Sequence, residues 1–211
     1  MRFVAAAVLL GLAGPAAAQG SKEVWPELDI LWRQAAHQRN FFELSSSTDH
    51  EGVKHEASVG VYQDYLFLPR GFLRAGYRAP FSTRDASYRE SRIVAEATLG
   101  RSLPFELRAI NRFRVEPRWV NSEYSYRVRD RIQLERELKP GIKRKLLGPY
   151  GTFEAYYDSR YNTVSRLGGR IGNNMRFGGP ASLDLYLARQ VNSRGSLKSV
   201  DALGIKLQLS Y

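Results

Sequence analysis

Residues 104–118 read PFELRAINRFRVEPR, and residues 124–135 read YSYRVRDRIQLE. In the first stretch Phe105, Leu107, Ala109, Asn111, Phe113 and Val115 occupy alternate positions. Glu106, Arg108, Ile110, Arg112, Arg114, Glu116 and Arg118 fill the positions between them. In the second, Tyr124, Tyr126, Val128, Asp130, Ile132 and Leu134 alternate with Ser125, Arg127, Arg129, Arg131, Gln133 and Glu135. Successive side chains of a strand point to opposite faces, so each stretch has one apolar face and one arginine-rich face; a helical period would scatter the arginines around the axis. Val120 to Ser122 breaks the pattern and marks a turn. Strands this long, against an ordinary length of about five or six residues, predict the wall of a tall barrel.

The same period runs through the rest of the chain. Ile93, Ala95, Ala97 and Leu99 form one such set, Leu183, Leu185 and Leu187 another, and Leu203, Ile205, Leu207, Leu209 and the terminal Tyr211 a third. No stretch calls for a helix. Leu68 to Gly71, Arg101 to Pro104 and Gly178 to Pro180 are short connections of turn formers, whereas Ser45 to Gly52, Ser82 to Ser87 and Asn192 to Lys198 are more polar. A turn at Gln34 to Gln38 would make about eleven strands. Leu28, Ile30 and Trp32 share parity with Phe42 and Leu44, however, and one strand carried through Ala36 makes ten. We take about ten antiparallel strands in up-and-down order, with twelve kept open and both termini on the periplasmic side.

Composition narrows the class. A chain of 211 residues that is 43% hydrophobic and 12% aromatic is long enough for one domain with a sizeable core, and too rich in bulky side chains for a disordered basic tail. Its 32 Lys and Arg against 21 Asp and Glu give a net charge of +11. The absence of cysteine excludes disulfides, thiolate metal sites and thiol catalysis. Met1-Arg2, the apolar run Phe3 to Gly14 and the small residues Ala16-Ala17-Ala18 read as a signal peptide, 1–18, with the barrel over 19–211. The run is shorter than a membrane span and is closed by Pro15. The chain is therefore read as exported.

Alternation alone leaves two arrangements. In a secreted, lipocalin-like ligand-binding barrel the apolar face points inward and the arginines are solvated outside; in an outer-membrane barrel the faces invert. An arginine against lipid at mid-membrane costs roughly 2–4 kcal/mol, so Arg127, Arg129 and Arg131 fit a membrane barrel only when their face is the lumen. Export, the lack of helical stretches and an aromatic last residue favour lipid. Phe105, Trp119, Tyr124, Tyr150 and Tyr211 are read as interfacial girdle residues.

These residues resemble a family of small Gram-negative outer-membrane β-barrels known only as a domain of unknown function. The resemblance spans most of Trp25 to Tyr211. It rests on R-x-R-x-E-x-R at Arg112, Arg114, Glu116 and Arg118, on Y-R-x-R-x-R from Tyr126 to Arg131, on Phe153-Glu154, and on Arg166 followed by Gly168. The family often carries Asn immediately before that last Arg, where this chain has Ser165. The resemblance implies the fold and an outer-membrane location, and no activity. A weaker similarity is to the arginine-lined porins for acidic oligosaccharides.

The sharpest chemical feature is the charged lumen: Arg108, Arg112, Arg114, Glu116, Arg118, Arg127, Arg129, Arg131 and Glu135, with Glu106 and Glu137. Cross-strand Arg–Glu pairs are available between the two adjacent strands. Such a lining either lowers the barrier to anions in a narrow pore or fills a closed barrel with a salt-bridged plug. Nucleic acid is not an expected partner of an exported, alternating chain. Outer-membrane lipid and lipopolysaccharide are, together with the barrel-assembly machinery through the strand ending Tyr211 and small anionic solutes in the lumen; the expected state is a monomer. Lys143, Arg144 and Lys145 read as a solvated periplasmic turn.

No cofactor or metal is called for. His50-Glu51 with His55 spells H-E-x-x-x-H, one residue too long for a zinc-protease motif and not on a helix. A lipid-modifying enzyme built on His50 or His55 with Ser45, Ser46 or Ser47 is the alternative from another class.

Overall fold

The computed structural model describes residues 20–49, 54–82, 88–138, 146–193 and 199–211. The signal peptide expected over 1–18 and the cluster Lys143 to Lys145 lie outside the described residues. Among those described, eleven strands close a barrel: β1 Gly20–Ala35, β2 Gln38–Asp49, β3 Lys54–Leu68, β4 Gly71–Ser82, β5 Glu90–Ser102, β6 Leu107–Val120, β7 Glu123–Arg136, β8 Leu146–Asp158, β9 Thr163–Arg176, β10 Ala181–Asn192 and β11 Ser199–Ser210. Each strand pairs with the next in antiparallel register, and β11 closes onto β1 in parallel, Leu28 opposite Leu207. Tyr211 extends the seam, its N–H donating to Leu31 O at 2.9 Å and its carbonyl accepting from Arg33 N at 3.0 Å.

The count of ten is corrected to eleven. Ala36 and His37 turn the chain, so that Ile30 faces Phe42 and Leu28 faces Leu44 across β1 and β2. Partners in an antiparallel ladder share a face, and these partner numbers have the same parity, so a hairpin and an unbroken strand give identical alternation. An odd count also places the start of β1 and the end of β11 at opposite rims, which corrects the reading of both termini on one side.

Faces are sorted cleanly. Val61, Ile132 and Leu187 are 51%, 56% and 59% exposed on the outside, whereas Arg118 and Glu116 are 1% and 2% exposed within. Greasy side chains outside and arginines inside are the reverse of the lipocalin-like arrangement. Asn111 and Asp130 interrupt the outer apolar face and satisfy each other, Asn111 Nδ2 donating to Asp130 Oδ1 at 2.7 Å. Aromatic residues gather at the strand ends, Trp32, Tyr65, Phe105 and Tyr211 at one rim and Phe81, Trp119, Tyr124 and Tyr161 at the other. The Trp119 and Tyr124 rings meet at 5.6 Å across the β6–β7 hairpin. Tyr150 does not belong to a girdle: it points inward, its hydroxyl 2.9 Å from Asp184.

Turn chemistry sets the register that matters most. Asn121 and Ser122 both have positive φ, 49° and 72°, the requirement of a two-residue hairpin whose twist matches its strands. Phe105 and Glu106, read from sequence as the start of a strand, also have positive φ, 63° and 58°, and belong to the β5–β6 turn. Ser45, Ser46 and Ser47, read as loop, lie within β2.

An inward tyrosine lies flat against two glycines. Tyr186 of β10 has Gly172 and Gly204 as its direct neighbours on β9 and β11, and a Cβ at Gly172 would sit 2.7 Å from that of Tyr186. Gly204→Val is expected to force the ring off the wall and to lower stability by about 1–3 kcal/mol. The thermal midpoint of the refolded barrel in detergent reads this out; an unchanged midpoint would show that the ring position is not constrained.

Candidate functional site: an arginine-walled lumen

The β6–β7 register sets arginine opposite arginine, Arg112 against Arg131 and Arg114 against Arg129, with Glu116 against Arg127. Directly opposed like charges repel. Their compensation comes from the strands on either side. Glu96 of β5 holds Arg114 at 2.6 Å and Arg112 at 3.4 Å. Glu154 of β8 takes Arg129 and, at 2.8 Å, Arg131. Arg118 reaches Asp158 of β8 and donates to Ser125 at 3.0 Å. Among the described residues, only Arg108 and Glu135 form a direct cross-strand ion pair between β6 and β7.

All nine residues assigned to the lumen from sequence border one cavity of about 780 Å³. Arg114, Glu116, Arg118, Arg129 and Arg131 are buried; Arg108, Arg112, Arg127 and Glu135 are partly exposed to it. Glu106 is not there. It is exposed on its turn, 3.8 Å from Arg136. Glu90 and Arg160 border the cavity at one rim, Arg136 and Gln208 at the other.

Sequence reasoning missed the acids that hold the wall together, Glu96, Glu154 and Asp158, and it missed Arg170 of β9. Glu96 shares the inward face of its strand with Val94 and Thr98, and Glu154 falls within the Phe153-Glu154 motif, so both carried a signal. Which arginines they meet depends on the β5–β6 and β7–β8 registers. Arg170 has two aromatic neighbours instead of an acid, its guanidinium 4.8 Å from the Tyr186 ring and 5.8 Å from that of Trp25.

Across the lumen the chain supplies its own cations to its acids. Glu27, Asp29 and Glu43 cluster on β1 and β2. Lys206 of β11 binds Glu27 at 2.6 Å and also Asp29, while Arg78 lies 3.4 Å from Glu43. Arg74 is clamped between Asp64, at 2.6 Å, and the Phe41 ring, 3.9 Å from its centroid. At the rim, burial and a hydrogen bond to Glu90 push the Tyr88 phenol up from its ordinary pKa.

The enzyme reading rests on His50 or His55 with Ser45, Ser46 or Ser47. The side chains of His50 and His55 lie outside the described residues. Ser45 Oγ is 2.7 Å from Ser58 Oγ and accepts from Arg78 at 3.0 Å, and among the described residues no histidine or carboxylate hydrogen-bonds it. His37 sits in the β1–β2 turn, its carbonyl accepting from Leu66 N at 2.8 Å.

No curated protein matches the chain by sequence. Among solved structures, LpxR from Salmonella typhimurium is similar with a TM-score of 0.53 over 82% of this chain and 83% of that one, at 6% identity. That likeness is one of fold. A family model described as "Protein of unknown function (DUF2490)" matches residues 30–199, from within β1 to the start of β11. The matched span includes the arginine ladder of β6 and β7, Phe153-Glu154, Arg166 and Gly168. The chain belongs to the DUF2490 family.

Proposed function

We propose that this protein is an outer-membrane barrel that passes small anions through a narrow, arginine-walled lumen. The observation that carries the reading is one continuous cavity of about 780 Å³ that borders residues at both rims. Spread over a bilayer core roughly 30 Å thick, that volume admits only a thin file of water and solute. Fixed guanidinium groups in so narrow a path lower the barrier for anions and raise it for cations. The apolar outer face and the aromatic rims support the location. On this reading the outer face meets lipid and lipopolysaccharide, β11 with Tyr211 engages the barrel-assembly machinery, and the protein works as a monomer.

A second reading has its own observation. Arg114, Glu96 and Glu154 are almost wholly buried and ion-paired, the arrangement of a plug. The test is conductance of the refolded chain in a planar bilayer under a salt gradient. Anion-selective openings are expected, with selectivity reduced in Arg112→Gln and Arg127→Gln. A barrel that inserts and stays silent would overturn conduction and leave the plug.

A further inference from the structure

Some arginines of the lumen wall share a carboxylate or have no ion pair among the described residues. Arg112 of β6 lies opposite Arg131 of β7, and Thr152 of β8 lies opposite Arg170 of β9. These four residues come from four consecutive strands, and all border the cavity. Their donors are under-used. The buried Nε of Arg112 lies 3.4 Å from a Glu96 carboxylate that Arg114 holds more closely, at 2.6 Å, and makes no hydrogen bond to it. Arg131 shares Glu154 with Arg129. Arg170 is stacked near rings and forms no ion pair among the described residues. Thr152 is 8% exposed, and its Oγ1 is buried without a partner. Arg131 lies within electrostatic range of both Arg112 and Arg170.

We propose that Arg112, Arg131, Thr152 and Arg170 form a binding site for a phosphate group, as the free ion or as a monoester. Guanidinium forks match phosphate oxygens two at a time, and a buried hydroxyl adds a neutral donor to an anion that offers acceptors in every direction. A single spherical halide would leave most of these N–H groups unmet. A doubly charged anion also relieves the repulsion of the Arg112–Arg131 rung. Glu154 faces Gly168 across β8 and β9, so no β9 side chain stands beside it and the lumen in front of the site keeps its space. The inference rests on the reading that solute reaches the lumen, and it deepens that reading by naming the group recognised.

The experiment is thermal unfolding of the refolded mature chain in detergent micelles, which leave both rims open, in phosphate against chloride at equal ionic strength. Phosphate is expected to raise the midpoint. Arg170→Gln and Thr152→Val should each weaken the half-saturating phosphate concentration by about tenfold. The Thr152→Val change keeps side-chain shape and removes only the hydroxyl. Glucose 1-phosphate tells the sources apart: an equal shift assigns the site to monoesters, and a shift with inorganic phosphate alone assigns it to the free ion. No preference for phosphate over chloride, or an unaltered shift in both variants, would overturn the site. Should a variant fail to refold, titration calorimetry of the unmodified chain decides, one phosphate per barrel being expected and no saturable heat being the contrary result. A barrel that binds phosphate yet is silent in bilayers would reject conduction and keep the site; a conducting barrel indifferent to phosphate would reject the site alone.

Discussion

Glu154→Gln is expected to destabilise the barrel by about 3–5 kcal/mol, the cost of leaving buried charge without its counter-charge. Glu154 is 4% exposed and binds Arg129 and Arg131 while accepting from the Tyr156 hydroxyl at 2.7 Å. With its charge gone, two guanidiniums face Arg112 and Arg114 across the β6–β7 rungs with only Glu96 and Glu116 to balance them. The urea midpoint of the refolded chain reads the loss. Adding Arg131→Gln to Glu154→Gln should recover a substantial part of it, because the two changes act on one interaction. If the single variant unfolded like the parent, water in the lumen would be screening the pair, and the burial described here would not govern its energetics.

Leu187→Arg is the second large effect. Leu187 lies midway along β10 on the outer face, flanked by Ile171 of β9 and Leu203 of β11. An arginine there would stand against hydrocarbon at a cost of about 2–4 kcal/mol. Folded protein in the outer-membrane fraction is expected to fall sharply, while Arg112→Leu, which removes a lumen charge, should assemble normally. Equal yields of the two variants would mean that the outer face does not meet lipid.

How far the sequence could be read depends on which interactions are local. Period-two alternation in 104–118 and 124–135 separates the two faces because it depends only on the strand geometry of each segment. The break at Val120 to Ser122 marks the β6–β7 turn, but the Arg–Glu pairs expected between these strands give way to the Arg112–Arg131 and Arg114–Arg129 rungs once the two-residue turn at Asn121 and Ser122 fixes the register. The partners of those arginines were not legible. Glu96 and Glu154 reach them through the β5–β6 and β7–β8 ladders, the first joined by a turn with Phe105 and Glu106 at positive φ, and alternation within one segment fixes neither register. Parity failed at Ala36 for a different reason: an irregularity between Arg33 and Ala35 shifts the β1–β2 register by one, so that partners beyond it share parity as they would in an unbroken strand. Tyr150 was misplaced because an aromatic near a strand end fits either a girdle or a lumen until its neighbour Asp184 is known.

Ile132 and Gln133 are neighbours in sequence that the barrel turns to opposite sides, Ile132 outward and 56% exposed, Gln133 onto the cavity. The chain has no cysteine, so single substitutions Ile132→Cys and Gln133→Cys label without background. In lipid vesicles, Gln133→Cys is expected to react with a water-soluble anionic thiosulfonate, and faster than with a cationic one of the same size. Ile132→Cys should resist both and accept a lipid-soluble maleimide. Reaction of the anionic reagent at 132 and not at 133, or a preference for the cationic reagent at 133, would contradict a barrel with its apolar face in lipid and its arginines around an anion path.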